Sequence, residues 1–580
     1  MVEHGVPERD FGGLDGFFSW LQRHRYKTGV RVFLRRWQHS HTCTSCGGTR
    51  LGAQALAAKI DGSSIADWCE QRVNELLPRL QGIQWNDAEQ AIARVALEQV
   101  LNRLKYLDSV GLGYLTLDRT VRTLSSGEAQ RVGLTSALAS NLIDLLYVLD
   151  EPSAGLHPTD VERLSQEVQR LQNRGNTVVV VEHEEAFLHL ADHVVEFGPA
   201  AGAEGGEIVF QGSSQDLLAD PGSLTGSYLA GRRGIGLPAE RRKPDRGQIR
   251  IQGACQNNLQ DIDVDLPLGV LCLVTGVSGA GKSTLIQDTL YPALAQQLRQ
   301  EPIRPTGTRA VLGVGQVDDV LLVDQSPIAR SQRSNPVTYV KAFDDIRGVF
   351  ANTIEAKTHN YTASHFSFNV DGGRCDACKG DGFVAIDMQF MPDVYVSCRD
   401  CGGHRYRREI LDVTYRGKSI ADVLKMTARE AFLFFRGQIK VQTKLKRLVD
   451  VGLDYLQLGQ PANTLSSGEA QRLKLAGYLS TASRKRTVIL LDEPTVGLHF
   501  ADVTKLLDCF DALISVGHSL IVIEHNVQVM LAADHIVDLG PGAAEQGGQV
   551  VATGTPEQIA QVAESVTGQC LHAALQRRER

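Results

Sequence analysis

The chain predicts an α/β fold made of two copies of one domain, and three observations carry that prediction. The nonapeptide TLSSGEAQR from Thr123 to Arg131 recurs unchanged from Thr464 to Arg472. Short apolar runs end in paired carboxylates in both copies, at Asp150-Glu151 and at Asp492-Glu493, as strands covered on both faces of a parallel sheet do. A third run, Leu271 to Thr275, leads into Gly276-Val-Ser-Gly-Ala-Gly-Lys-Ser-Thr284, a strand, a glycine-rich loop and a helix start in order. The copies lie 341 to 342 residues apart, far beyond the about 20 to 50 of solenoid repeats, so whole domains are repeated.

Composition agrees with folded, modular architecture. The chain has 580 residues, 43% hydrophobic and 22% charged, which excludes collagen-like and disordered classes. A net charge of −7 argues against retention on nucleic acid by bulk charge, while leaving local basic patches open. No apolar stretch approaches the ~20 residues of a membrane-spanning helix. The opening MVEHGVPERD is not a secretion signal, so a cytoplasmic protein is expected. Eleven cysteines are too few for a disulfide scaffold, and six of them fall in CxxC pairs, which points to metal.

In chain order, residues 1–60 come first. Gly16 to Ile60 holds eight Lys or Arg and no Asp or Glu, interleaved with Phe17, Phe18, Trp20, Tyr26, Phe33 and Trp37. Such a segment is either a phosphate-tracking surface with stacking groups or a set of core aromatics. Residues 61–235 form the first copy. Ser125, Gly127 and Glu128 lie in an S-x-x-E capping box, repeated at Ser466 to Glu469, so each opens a helix whose free N–H groups suit an anion. Gly231 to Gly247 is rich in Gly, Pro and charge and reads as an exposed linker, with the boundary at 236–247.

Residues 248–570 form the second copy, which carries the phosphate chemistry. Gly276, Ser278, Gly279 and Gly281 let backbone N–H groups turn inward around phosphate oxygens. Lys282 reaches the β and γ phosphates of ATP, Ser283 ligates Mg²⁺, and Thr284 opens the following helix. Asp492 holds Mg²⁺ through its water shell, and Glu493 orients and deprotonates the attacking water. His525 follows another apolar run, where a strand end can aim an imidazole at the γ phosphate.

A module at 366–410 carries Cys375, Cys378, Cys398 and Cys401 as C-x2-C-x19-C-x2-C, a spacing that suits a closed, structural Zn²⁺ site. Phe383 to Val396 reads as a hairpin held by the metal. Arg399 to Lys418 has six basic and three acidic residues, and Arg330 to Lys341 has three basic and none acidic. Such patches are either solvated faces or surfaces that neutralise phosphates without reading bases, and on the second reading Arg330, Arg333, Arg405 and Arg407 are the candidate nucleic-acid contacts.

Taken together, the P-loop, LSSGE, LLDEPTVGLH and VIEHN resemble the ATP-binding cassette (ABC) superfamily. DQSPIARSQRSNPVTY from Asp324, FSFNVDGGRCDACKGDG from Phe366 and LTGSYLAG from Leu224 more closely resemble the bacterial excinuclease subunit UvrA, over nearly the whole chain. The resemblance implies two ABC-type ATPase halves of P-loop NTPase fold, with inserted signature domains and a four-cysteine zinc module. It also implies ATP hydrolysis, binding of damaged duplex DNA in nucleotide excision repair, a homodimer, and a γ-phosphate and metal sensor at Gln325.

The family pairs the P-loop of one half with the signature of the other. On that rule one composite site joins Gly276 to Thr284, Gln325, Asp492, Glu493 and His525 to Ser125 through Glu128, while Asp150, Glu151 and His183 face no nucleotide unless another chain supplies a P-loop. The first half shows no GxxxxGKS, and a UvrB-binding region has no counterpart, so a UvrB-type partner is not expected and a gene fragment or internal start is a competing account. Cys43-Thr-Ser-Cys46 resembles half of a second four-cysteine module, and two ligands do not close a zinc site. LSSGE replaces the family's usual LSGGE, so a positive φ at Ser126 would strain the loop. Rival functions are a UvrA-like paralogue for drug or intercalator tolerance, a ribosome-associated cassette protein, and a non-hydrolysing DNA-binding scaffold.

Overall fold

The computed structural model describes residues 13–24, 42–124, 126–138, 143–200, 205–234, 240–300, 307–325, 333–386, 394–481 and 485–579, with a few single positions between them. Two compact units emerge. One comprises Met1–Trp85 with Thr116–Arg119, and the other Asn86–Leu115 with Thr120–Arg580.

In the smaller unit a hairpin of Lys59–Ile60 and Ser63–Ser64 leads into the helix Ile65–Cys69. Ser64 and Asp67 form a reciprocal capping box that satisfies two otherwise orphaned N–H groups. Arg79 stacks over the buried Trp68 ring at 4.1 Å, whose Nε1 donates to the Ile60 carbonyl. The same hairpin and capped helix recur in the larger unit, where Ser419 and Asp422 cap Ile420–Lys425. The internal repeat therefore extends beyond the signature peptides, from GSSIAD to GKSIAD.

The larger unit is organised by a six-stranded sheet. In spatial order its strands are Asp319–Val323, Thr487–Asp492, Ser519–Ile523, Leu271–Gly276, His535–Gly540 and Gln549–Gly554. The first five run parallel and the last antiparallel. Because side chains alternate across a strand, each apolar run divides between two cores. Leu271, Leu273, Ile489, Leu491, Leu520 and Val522 enter one, while Cys272, Val274, Val488, Leu490, Ile521 and Ile523 enter the other. The parallel register sets Val323 beside Leu491, Asp492 beside Ile523, and Ile523 beside Val274. The segments that follow these strands thus leave one edge of the sheet together, where ligands bind in open α/β sheets.

Fewer strands belong to the first copy among the described residues. Leu146–Asp150 and Thr177–Val181 pair in parallel, and Val194–Gly198 pairs antiparallel with Glu207–Gly212. Tyr147, Leu149, Val178 and Val180 pack on the core of the helix Pro158–Asn173, whereas Leu146, Val148, Val179 and Val181 are exposed. The linker is less free than its composition suggests. Arg241 forks onto Glu557 and the carbonyls of Leu531 and Ala533, and Arg242 bridges Asp534 and Asp511. Arg241 and Arg242 thus find buried carbonyls, the buried Asp534 and two exposed carboxylates, which strap this part of the linker to the second copy.

Candidate functional site

The glycine-rich loop has the geometry its residue types require. Gly276, Gly279 and Gly281 have φ of 133°, 78° and 103°, in the region that glycine alone enters readily. A Cβ on Gly276 would lie 2.1 Å from the Leu539 carbonyl oxygen. Lys282 is buried and donates to the Gly276 and Val277 carbonyls at 3.0 and 2.9 Å, holding the loop closed around itself. Ser278 Oγ and His525 Nδ1 are buried without a hydrogen-bond partner among the described residues. Glycine-lined backbone, a buried cation and orphaned polar atoms on one face fit an incoming polyphosphate.

The carboxylates converge on that loop from the neighbouring strand. Asp492 accepts from Gln287 Nε2 at 2.6 Å, so the helix following the P-loop holds the proposed Mg²⁺ ligand. Glu493 accepts from Gln325 Nε2 at 3.0 Å and lies 3.6 Å from His525 Nε2. Burial, then the neighbouring Glu493 charge, pushes Asp492 up to about 7. Burial alone would also raise Glu493, but His525, Lys282 and Gln325 together hold it below the usual carboxylate range. Burial and the Lys282 charge hold His525 below its ordinary value, against the opposing pull of Glu493.

The first copy closes over this centre. A Cβ on Gly155 would stand 2.5 Å from Glu493 Oε2, and the His157 ring meets the His525 ring edge-on at 5.9 Å. Tyr114 lies against Gly279 of the P-loop, its ring 3.0 Å from where a Cβ would be, and donates its hydroxyl to Glu128 at 2.5 Å. That chain of contacts links the first-copy signature helix to the second-copy P-loop. The mirror arrangement is present too: Gly497 lies against Glu151, the His499 ring meets His183 at 6.1 Å, and Tyr455 donates to Glu469 at 2.8 Å. Glu151 and Glu493 share a left-handed backbone, with φ of 44° and 47°.

Ser125 lies outside the described residues. Ser126 and Ser467 are the first residues of the helices Ser126–Leu138 and Ser467–Thr481, and Ser467 is not among the residues with positive φ, so its hydroxymethyl does not strain that backbone. The capping box forms at Ser466 and Glu469, as the spacing predicts. Gly468 is needed there, since a Cβ would stand 2.6 Å from the Val496 carbonyl oxygen.

Cys375, Cys378, Cys398 and Cys401 bring all four sulfurs within 4.8 Å of one another. The Cys378–Cys401 and Cys375–Cys398 sulfurs are 3.7 and 4.0 Å apart. A tetrahedron with metal–sulfur bonds of about 2.3 Å has edges of about 3.8 Å, so the thiols already describe a four-sulfur metal site. Phe383–Ile386 and Val394–Ser397 pair antiparallel between the two CxxC turns, the expected hairpin strands.

No family model matches the sequence. The UvrABC system protein A of Bacillus subtilis (strain 168) is 47% identical over 580 residues, covering 98% of this chain and 61% of the relative. That of Lactiplantibacillus plantarum is 46% identical, with 99% of this chain and 61% of the relative covered. The crystal structure of UvrA2 from Deinococcus radiodurans superposes with a TM-score of 0.86 at 43% identity, over 96% of this chain and 69% of that one. The chain belongs to the UvrA family. Its fold is therefore that of two ABC-type halves carrying a four-cysteine module. It spans 61% of the length of the first curated relative it matches.

Within this UvrA-family chain the arginine assignments fare unevenly. Arg330 lies outside the described residues. Arg333 pairs with Asp381 at 2.7 Å and Arg407 with Asp376 at 2.7 Å, both carboxylates belonging to the cysteine module. Arg405 is only 6% exposed, donates to the Gly459 carbonyl at 3.0 Å and lies over the Phe368 ring. Its guanidinium packs the module onto the ATPase core and has no surface to offer a phosphate. A run of basic letters cannot separate a solvated arginine from one drawn inward by a carbonyl and a ring. Sequence reasoning does not single out Tyr114, Gly155, His157 or Gln287 as site residues; for Gly155 and His157 the signal is Gly-Leu-His returning at Gly497 to His499.

Proposed function

We propose that this chain is an ATP-dependent DNA-binding protein of the UvrA type, acting in the cytoplasm in damage recognition for nucleotide excision repair. The observation that carries the proposal is the convergence of Lys282, Asp492, Glu493, Gln325 and His525 at one sheet edge, beneath a loop from the other half. Lys282 would exchange its loop carbonyls for phosphate oxygens. Mg²⁺, held by Ser283 and Asp492, would neutralise charge on the transferred phosphoryl group. Glu493, ionised and aimed by Gln325 and His525, would accept the proton of the attacking water. The four cysteines would hold Zn²⁺ as a structural ion, with no position left for water.

Closure of the halves on ATP would present the joint surface to damaged duplex DNA, in a homodimer, and hydrolysis would reset it. The test is ATP turnover by the purified chain with and without lesion-bearing duplex. Glu493→Gln is expected to retain ATP while losing turnover by at least about a hundredfold, and Lys282→Ala to lose ATP binding. Equal turnover in all three proteins would refute the assigned roles.

A further inference from the structure

The threonine of the LTGSYLAG stretch belongs to a chain of polar contacts that occurs twice, half-buried in the first copy and buried in the second. In the second copy Asp538 accepts from Thr275 at 2.8 Å, from Thr567 at 2.6 Å, and through its other oxygen from Ser565 at 2.6 Å. Thr275 is the residue before the P-loop, and Thr567 stands in the first turn of the helix Val566–Glu579. With its hydrogen committed to Asp538, the Thr567 hydroxyl can only accept, and what faces it is Nε2 of His157 from the first copy, at 3.3 Å. His157 must then carry its proton on Nε2. Its Nδ1 agrees, accepting from the Thr159 backbone N–H at 3.4 Å and capping the helix Pro158–Asn173. The ring so fixed is the one that meets His525.

The first copy repeats the set apart from Thr275. Glu196 accepts from Ser223 at 2.6 Å, and from the Thr225 hydroxyl at 2.6 Å and amide at 2.9 Å. The Thr225 hydroxyl faces Nε2 of His499 at 3.1 Å, His499 Nδ1 accepts from the Ala501 N–H at 3.2 Å, and the His499 ring meets His183. Capping a helix requires neither the threonine nor the carboxylate, so the recurrence of the whole set selects for the link across the halves.

We infer that Thr567 is a positioning residue for ATP turnover: clamped by Asp538, its hydroxyl latches His157 of the opposite half and thereby holds the loop that orders His525 and Glu493. Thr225 does the same for His183. The inference rests on the ATPase reading proposed above. Removing the hydroxyl leaves the His157 N–H without its acceptor in a buried setting, and the loop from Ser153 to His157 loosens over the reacting groups.

The test compares Thr567→Val, which keeps the shape and loses the hydroxyl, with Thr567→Ser, which keeps the hydroxyl. The valine variant is expected to lower kcat about five- to tenfold with the KM for ATP unchanged, and the serine variant to restore it. Independently of turnover, hydrogen exchange of the nucleotide-free chain is expected to speed up at the amides of 154–161 in the valine variant alone. Unchanged exchange there, a serine variant that behaves like valine, or a loss carried by KM would each overturn the latch. If no protein form turns over ATP, the ATPase reading falls while the exchange comparison still decides whether Thr567 latches His157.

Discussion

Lys282 and Asp492 sit within one buried site, and burial moves them in opposite directions relative to neutrality. Burial pulls Lys282 down to about 8, against the charges of Glu493, Asp160, Asp538 and Asp492, while Asp492 rises to about 7. Binding of Mg²⁺ and ATP needs the carboxylate ionised and the ammonium charged. Affinity should therefore climb as pH rises to about 7, hold to about 8, and fall beyond, by at most about tenfold per pH unit on either limb. Titrating nucleotide affinity between about pH 5.5 and about pH 9.5 checks this, and a profile flat over that span would contradict it. These residues were legible in sequence because phosphate chemistry dictates their types and spacing. Gln287 was not, since its partner Asp492 is 205 residues away and only the sheet brings them together.

Two elements outside the nucleotide centre make separate predictions. The hairpin strands Phe383–Ile386 and Val394–Ser397 are short, and a two-stranded hairpin is marginal alone, so four sulfurs at metal-site separation must supply its order. Cys398→Ser should lower bound zinc from one ion per chain to below about a tenth of that by atomic absorption. The linker is held by Arg241, whose fork onto Glu557 keeps that carboxyl down at about 2, chiefly through the hydrogen bond. Glu557→Gln should free the segment, with trypsin cutting after Arg241 or Arg242 several-fold faster than in the parent chain. The CxxC pairs disclosed the metal module by their spacing. Nothing local distinguished a strapped linker from a free one, because Arg241 meets a residue 316 positions on.

Within the larger unit the two copies meet reciprocally, each placing a Gly-Leu-His loop against the glutamate that ends the Asp-Glu strand of the other. A single methyl tests this from the far side. Gly155→Ala puts an L-residue at φ 70° and its Cβ 2.5 Å from Glu493 Oε2, so Glu493 must move. ATP turnover should fall about tenfold although the residue lies in the half that carries no GxxxxGKS motif in this sequence. Turnover equal to the parent chain would show that the halves do not share the site.

Internal repetition, the glycine loop, the carboxylate-ended strands and the cysteine spacing were settled by residue order, since each is a local demand: backbone near phosphate needs glycine, and a four-sulfur site needs two tight turns. Which histidine meets which, that Tyr114 lies against Gly279, and that Arg405 faces inward depended on folding, because parallel crossovers join residues hundreds of positions apart and burial is a property of neighbours that no single segment encodes.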